Sequence, residues 1–185
     1  SLFFEDFDID EIMSSFNTFD SEKVIIKPTV GANADKIMII KKSDTLNKLK
    51  KTKNTYKNRP FILQPFINSI KEDGEMSLIF FNKGFSHGLS KVPKKGDFRV
   101  QEEHGGTLEL LKNLDEQIIN LCKKVLSLLP YDCFYSRIDL VFDGGHPLLM
   151  EIEVIEPSLY FNLEPRSAKL FANKVSDFFN HQCWC

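Results

Sequence analysis

Residues 136–158 read SRIDLVFDGGHPLLMEIEVIEPS and contain the pattern that decides the fold. Two apolar runs, Phe134 to Phe142 and Pro147 to Ile155, flank the Gly-Gly turn at residues 143–146 and predict a β-hairpin. Three acidic residues are embedded in these runs: Asp139, Glu151 and Glu153. Side chains alternate between the faces of a strand, so the two glutamates share one face, and the aspartate can approach it from the partner strand.

Three carboxylates on one half-buried sheet face repel each other unless cations lie between them. Oxygen ligands in this number suit Mg²⁺ or Mn²⁺, and magnesium completes its shell with water and phosphate oxygens. The pattern therefore predicts a nucleotide–metal site. The alternative interpretation is a solvated sheet face whose acids pair with lysine or arginine. The apolar flanks and Arg137, two residues before Asp139, favour the metal site.

Composition restricts the class of protein. The 185 residues are 42% hydrophobic and 27% charged, with a net charge of -2. A disordered chain would have fewer apolar residues, and a nucleic-acid binder acting through bulk charge would be basic. No apolar run approaches the roughly 20 residues that cross a bilayer. We therefore expect a globular protein without nucleic-acid or membrane partners, and cytoplasmic because its first residues lack the basic segment of a signal peptide.

The remaining patterns alternate hairpins with helices, without the strict strand–helix alternation of a doubly wound fold, and so predict an α+β protein. The predicted strands are Lys23–Pro28, Lys36–Ile40, Phe61–Ile67, Glu75–Phe81 and Phe85–Val92. The predicted helices are Asp8–Phe16, a segment capped by Ser43 or Asp44 and ending near Lys53, Asp115–Leu129 and Ser167–Phe179. A long polar loop covers Pro93–Gly106, and such loops are usually functional or mobile.

Other charged residues are weaker candidates. Lys27 ends a buried strand, where a lysine suits a phosphate contact, although it more often reaches out to solvent. The small-residue loop Thr29–Asp35 could offer backbone N–H groups to phosphates. Lys91 and Arg99 flank the long loop, and an arginine there could bind a carboxylate or phosphate or be an ordinary surface charge. The basic stretch from Lys48 to Lys57 is interpreted as a solvated helix face.

Four cysteines are present, none in a CxxC pair or at zinc-ligand spacing. Cys183 and Cys185 lie in the last residues, where a loose terminus is favoured over a metal site. His87 and His104 are candidates for acid–base chemistry, but we assign neither a function because neither has a visible partner in the sequence.

The order of several motifs resembles an ATP-grasp domain, in the branch similar to bacterial glutathione synthetase and the ligase of cycloserine biosynthesis. The motifs are Val24-Ile25-Ile26-Lys27-Pro28, Leu63-Gln64-Pro65-Phe66-Ile67, Gly74-Glu75-x-Ser77, Asp97-Phe98-Arg99, Gly105-Gly106, Arg137-x-Asp139 and Met150-Glu151-x-Glu153. The family commonly has asparagine at the position of Glu153. The resemblance implies two α+β lobes with antiparallel sheets: a leader helix at 1–20, a small lobe at 21–66, a large lobe at 67–180 and a tail at 181–185.

The resemblance also implies residue roles. Asp139, Glu151 and Glu153 would hold two Mg²⁺ (or Mn²⁺) on the ATP phosphates. Arg137 and Arg99 would stabilise the transferring phosphate. The adenine and phosphates would contact Lys27, Gln64, Pro65, Phe66, Ile67, Met150 and Lys91. The acceptor substrate would contact Glu156 and Ser158.

The implied function is a ligase that joins a small carboxylate to an amine through an acyl phosphate. Because family enzymes carry a preceding N-terminal domain, we expect this chain to be a fragment or a shortened form without it. The alternatives are a non-catalytic ATP-grasp remnant that binds nucleotide or a partner, and a phosphotransferase that makes a stable phosphoester. A homo-oligomer is compatible with the sequence.

Overall fold

The computed structural model describes residues 1–31 and 34–181, and the predictions for Cys183 and Cys185 lie outside them. The chain divides into two compact units, one from Ser1 to Ile67 and one that begins at Asn68. Each unit contains an antiparallel sheet with helices, which confirms the predicted α+β class. In the part of the chain that is described, no helix combines the length and hydrophobicity needed to cross a membrane.

The first unit is a four-stranded sheet with two helices. Its elements are β1 (Leu2–Phe4), α1 (Ile9–Thr18), β2 (Lys23–Pro28), β3 (Met38–Lys41), α2 (Leu46–Thr55) and β4 (Phe61–Pro65), with strand order β1-β4-β2-β3. Burial alternates along β2: Val24 and Ile26 are buried, whereas Lys27 is only half-buried. One face of the sheet therefore forms the core, with α1 contributing Ile12 and Phe16.

The beginning of the chain differs from the predicted leader, which consisted of a helix alone. Strand β1 precedes α1 and pairs antiparallel with β4, with Leu2 opposite Leu63 and Phe4 opposite Phe61. The rings of Phe4 and Phe61 stack with centroids 5.3 Å apart. This aromatic contact attaches the first residues to the sheet, so the segment is an integral strand and helix of this unit.

The predicted cap of α2 is wrong by one or two residues. Thr45, not Ser43 or Asp44, is the N-cap, and its hydroxyl accepts a hydrogen bond from the backbone N–H of Lys48. Asp44 instead accepts a hydrogen bond from the N–H of Lys41 at 2.8 Å and forms an ion pair with Lys48. Because the Asp44 carboxylate already accepts a hydrogen bond within the turn after β3, the hydroxyl of Thr45 caps the helix.

The second unit is a five-stranded sheet with order β7-β6-β5-β8-β9. Its elements are β5 (Glu75–Phe81), β6 (Gly84–Val92), β7 (Thr107–Leu110), α3 (Glu116–Ser127), β8 (Tyr135–Asp143), β9 (His146–Glu153) and α4 (Pro165–His181). Short 3₁₀ turns occur at Asn68–Lys71 and Glu102–His104. Strand β7 was not predicted, because its four residues contain only two apolar side chains and follow the polar loop without a clear run.

The two faces of this sheet differ, and the difference positions the site. One face packs against α3, through Ile119, Cys122 and Leu126. The opposite face is apolar at one end, where Ile79 and Phe81 meet Phe171 of α4. Ser77 and Glu75 lie two and four residues before Ile79 on the same strand, and their side chains therefore share its face. This face is thus polar at its other end.

A buried histidine ties the segment after β9 to β6. The Nε2 of His87 lies 3.1 Å from the carbonyl oxygen of Leu159, and its Nδ1 lies 2.9 Å from the Oγ of Ser86. A carbonyl only accepts, so Nε2 carries a hydrogen, whereas the serine hydroxyl can donate to Nδ1 or accept from it. Burial lowers the pKa of His87 and so favours the neutral imidazole, in which the hydroxyl donates to Nδ1.

We predict that Tyr56→Phe lowers the free energy of unfolding by about 1 kcal/mol. The ring of Tyr56 is fully buried against Phe61, and its hydroxyl lies within hydrogen-bonding distance of the carbonyl oxygens of Ile26 and Lys36. The substitution keeps the ring and removes these bonds. Urea unfolding measures the change, and Tyr131→Phe at an exposed tyrosine is the control. Equal stability of the two variants would contradict the prediction.

We predict that His87 makes stability fall at mildly acidic pH. Its folded-state pKa is depressed, so the unfolded chain binds the proton more readily. The stabilising contribution is complete above the unfolded-state pKa of 6.5 and is lost as pH falls below that value towards the folded-state pKa. Urea unfolding at pH 7.5 and 5.5 should show a larger loss for the wild type than for His87→Gln. Parallel losses would show that His87 is not responsible.

Candidate active site

Strand register brings the three predicted metal-binding acids together. Asp139 of β8 lies opposite Glu151 of β9, and Arg137 lies opposite Glu153. One carboxylate oxygen from each of the three acids lies within 4.8 Å of the others. The acids therefore form a compact group on the polar end of the sheet face, as the alternation of side chains predicted.

A β-bulge in β9 lies next to this group. Asp139 pairs with Glu151 and the next residue, Leu140, pairs with Leu149, so Met150 has no partner on β8. A bulge of this kind bends the strand and re-aims the neighbouring side chain. The half-buried Met150, expected to pack against adenine, thus lies at the one irregular position of the hairpin.

Arg137 binds two of the three acids. Its Nε lies 2.9 Å from Oδ1 of Asp139, its Nη2 lies 2.8 Å from Oδ2, and Nη2 also donates to Glu153. Burial alone lowers the pKa of Arg137, but the hydrogen bonds and charge of Asp139, with the charge of Glu153, outweigh burial and raise it. The guanidinium is therefore a permanent cation among these acids. Pairing of the acids with an arginine is what the alternative interpretation of the sequence predicts.

Asp139 is the most buried member, with 2% of its surface exposed. It accepts hydrogen bonds from Arg137 and from the hydroxyl of Ser77, which lies opposite it on β5. Burial raises the pKa of Asp139, but the charge of Lys91 and the bonds from Arg137 and Ser77 outweigh burial and lower it. The carboxylate is thus ionised, the form that a metal ligand requires.

Lys91 is buried in the same region and bound to another acid. It lies opposite Glu75 across β5 and β6, with Nζ 2.7 Å from Oε1 of Glu75 and 3.5 Å from Oδ1 of Asp139. Nζ also lies 5.8 Å from the centre of the Tyr160 ring. Burial lowers the pKa of Lys91, and the charges of Glu75 and Asp139 outweigh burial and raise it. Its observed contacts are therefore protein carboxylates.

Arg99 lies on the predicted long loop and forms its ion pair there. Its Nε and Nη2 bind both oxygens of Asp97, at 3.1 and 2.7 Å. These bonds hold the pKa of the Asp97 carboxyl below its usual range. Among the described residues, no ion pair links Arg99 to the acid group around Asp139. The two arginines expected to act on phosphate thus pair with different acids, Arg99 with Asp97 and Arg137 with Asp139 and Glu153.

The remaining nucleotide candidates lie in the first unit. Lys27 is half-buried on β2, opposite Ile62. The segment Gln64–Ile67 covers the end of β4 and the last residues of that unit. The backbone N–H of Phe66 donates to the carbonyl of Lys23 at 2.9 Å. A hinge role for Phe66 through this N–H would require that bond to open.

The two substrate candidates follow β9. Glu156 is exposed and has a left-handed backbone conformation with φ of 57°, and Ser158 is exposed after the buried Pro157. Tyr160 is also left-handed, with φ of 52°. Such conformations in residues other than glycine are uncommon and often lie near functional sites. In this segment, the carbonyl oxygen of Leu159 contacts His87 and the ring of Tyr160 lies near the Lys91 ammonium.

The sequence analysis assigns no role to three residues of the site: Glu75 and Ser77, which it names only within a motif, and Tyr160. The first two carry a readable signal, since polar side chains alternate with apolar ones at the start of β5 and must share a face. Tyr160 has no such signal, because its approach to Lys91 depends on the irregular segment after β9.

The donor set fits a hard divalent cation. Carboxylate oxygens within a few ångströms of one another are what Mg²⁺ and Mn²⁺ bind, and sulfur or imidazole ligands are lacking in this group. Glu151 is exposed and Glu153 half-buried, so an ion could reach them from solvent.

Comparisons of sequence and structure identify proteins that are similar to this chain. The chain is 30% identical over 128 residues to the cycloserine biosynthesis protein DcsG of Streptomyces lavendulae, covering 63% of this chain and 41% of that protein. It matches the crystal structure of D-cycloserine synthetase DcsG with a TM-score of 0.74 at 21% identity, over 91% of this chain and 59% of that one.

A second match is the D-alanine–D-alanine ligase of Bacillus anthracis complexed with ATP. Its TM-score is 0.64 at 15% identity, over 95% of this chain and 56% of the ligase chain. At these identities, the structural matches show a shared fold. This chain thus spans about half the length of these relatives. The model of the prokaryotic glutathione synthetase ATP-grasp domain matches residues 8–166, and the chain therefore belongs to that ATP-grasp family.

Proposed function

We propose that the chain is the nucleotide-binding and catalytic portion of an ATP-dependent carboxylate–amine ligase that uses Mg²⁺ and an acyl-phosphate intermediate. The observation that carries the proposal is the group of three carboxylates around Arg137 in a member of this family. The similarity to DcsG and to a D-alanine–D-alanine ligase supports ligation of a small carboxylate to an amine. Such a reaction draws on cellular ATP, so we place it in the cytoplasm.

The proposed chemistry has two displacements. A carboxylate oxygen of the first substrate forms a bond to the γ-phosphorus of ATP, and the bond from that phosphorus to the bridging oxygen of ADP breaks. The amine nitrogen then attacks the acyl carbon, the bond from this carbon to the phosphate oxygen breaks, and the nitrogen loses a proton. The products are ADP, phosphate and an amide-type bond.

The chain's own residues contribute charge and position. Asp139, Glu151 and Glu153 would hold two Mg²⁺, which supply positive charge to the phosphates. Arg137 offers a buried, always-charged guanidinium next to these acids, suited to an oxyanion that develops during transfer. We assign Arg99, on the loop Pro93–Gly106, the same function, and Lys27 a phosphate contact. Gln64–Ile67 and Met150 are assigned to adenine, and Glu156 and Ser158 to the acceptor.

Glu151→Gln should abolish most metal-dependent nucleotide binding. Glu151 is exposed, so the isosteric change should leave the fold intact, and it removes one of three charged ligands. Calorimetry with ADP and Mg²⁺ should show binding by the wild type and at least about tenfold weaker binding by the variant. Glu109→Gln, at an exposed glutamate of the same sheet, is the matched control. Equal binding by all three proteins, or binding independent of Mg²⁺, would refute the proposed metal site.

Phosphate release should require both substrates. A panel of amino acids and amines with Mg·ATP should release phosphate only when a carboxylate and an amine are present together, because the amine removes the acyl group from phosphate. Arg137→Met should reduce this rate by about 10²-fold or more, as expected for loss of a transition-state charge contact. Nucleotide binding without phosphate release would identify the non-catalytic module. A stable phosphoester would identify a phosphotransferase.

A further inference from the structure

Three residues on one face of β6, His87, Leu89 and Lys91, contact or pack with the segment that follows β9. His87 donates to the carbonyl oxygen of Leu159 at 3.1 Å, and Leu89 belongs to the apolar cluster against which this leucine packs. The next residue, Tyr160, places the centre of its ring 5.8 Å from the Lys91 ammonium. The chain after β9 therefore lies along β6, with Tyr160 next to the lysine.

Tyr160 holds a backbone conformation that tyrosine rarely adopts. Its φ of 52° lies in the left-handed region, which is disfavoured for a residue with a Cβ and open to glycine. Such a conformation persists where the surroundings determine it, and the bond from His87 to the adjacent carbonyl is one determinant. Strain at a position where glycine would be relaxed indicates that the side chain itself is required.

The Lys91 ammonium has a donor to offer to a phosphate oxygen. An ammonium carries three N–H donors, and within the described structure the hydrogen bonds of Lys91 go to Glu75 at 2.7 Å and Asp139 at 3.5 Å. The third donor suits the nucleotide contact that the sequence analysis expects. Burial lowers the pKa values of Lys91 and Arg137, and Tyr160 is among the groups that raise them. The tyrosine thus lies within electrostatic range of both cations.

We propose that Tyr160 is a positioning residue for Lys91: its ring, fixed beside β6 through the bond between His87 and Leu159, packs over the ammonium and holds it in place for contact with the nucleotide phosphates. The proposal rests on the nucleotide site of the proposed function. The face of an aromatic ring attracts an ammonium, and the attraction is stronger where the cation is buried, as Lys91 is. The competing explanation is that Tyr160 only fills the apolar cluster.

Calorimetry with ADP and Mg²⁺ measures the contribution of the ring. Tyr160→Leu keeps an apolar side chain but removes the aromatic face, and it should weaken binding by about fivefold, as expected for loss of a partly buried cation–π contact. Tyr160→Phe restores the ring and should recover binding to within about twofold of the wild type. Tyr131→Leu, at an exposed tyrosine of the same unit, is the matched control and should have no effect.

A double-mutant cycle shows whether the effect passes through Lys91. The background Glu75→Gln/Lys91→Met removes both charges of the buried pair, so that neither is left without the other. In this background, Tyr160→Leu should change ADP binding by less than about twofold, because the ring no longer has a cation to position. A loss as large as in the wild-type background would show that the ring acts independently of Lys91, and would overturn the proposal.

Tyr160→Asn keeps the proposal testable if Tyr160→Leu does not fold, which near-ultraviolet circular dichroism would reveal. Asparagine adopts the left-handed conformation more readily than leucine and also lacks an aromatic ring. This variant should weaken ADP binding as the leucine variant does, and unchanged binding would contradict positioning by the ring.

The outcomes separate the two proposals. If the wild type binds no ADP with Mg²⁺, the nucleotide site of the proposed function fails, and the role of Tyr160 fails with it. If the wild type binds ADP and Tyr160→Leu binds it equally, only the role of Tyr160 fails. If Tyr160→Phe binds as weakly as Tyr160→Leu, the hydroxyl and not the ring is needed, and the proposal is also overturned.

Discussion

An ionised aspartate buried in the middle of a sheet is the constraint on which the second unit depends. Asp139 is almost fully buried, and it is stabilised by Arg137, Ser77 and the more distant Lys91. Each partner comes from β5, β6 or β8 itself, so three strands must hold their register for the charge to be tolerated. The pairing of β8 with β9 places Glu151 and Glu153 beside it. Stability and the proposed chemistry therefore draw on the same set of contacts.

The face that carries this charge is continuous with an apolar core. Along β5, the face changes from Glu75 and Ser77 to Ile79 and Phe81 within seven residues. The apolar end is covered by α4 and by the segment that His87 fixes to β6. This arrangement lets one end of the sheet stay rigid and dry while acids at the other end, such as Glu151, remain open to solvent.

The sequence allowed much of this to be predicted, because period-two alternation determines which side chains share a face. That rule gave the grouping of Asp139 with the two glutamates, and the two apolar runs around a Gly-Gly turn gave the hairpin of β8 and β9. It could not give the pairing of Glu75 with Lys91, since register between separate strands depends on turn geometry that composition does not encode. It also missed β1, whose three residues pair with β4 and contact it through the stacked rings of Phe4 and Phe61. Arg99 was expected on phosphate, but its nearest anion, Asp97, is two residues away.

The bulge in β9 has a consequence for how this hairpin can vary in length. The pairs on either side of Met150 would follow one another without interruption if that residue were removed. Backbone hydrogen bonding alone therefore gives no reason to have a residue there. Deletion of Ile152, in contrast, would shift Glu153 relative to Asp139 and Glu151. Met150 is thus a residue of β9 that the hydrogen-bonding ladder does not require. It places a flexible thioether next to Glu151.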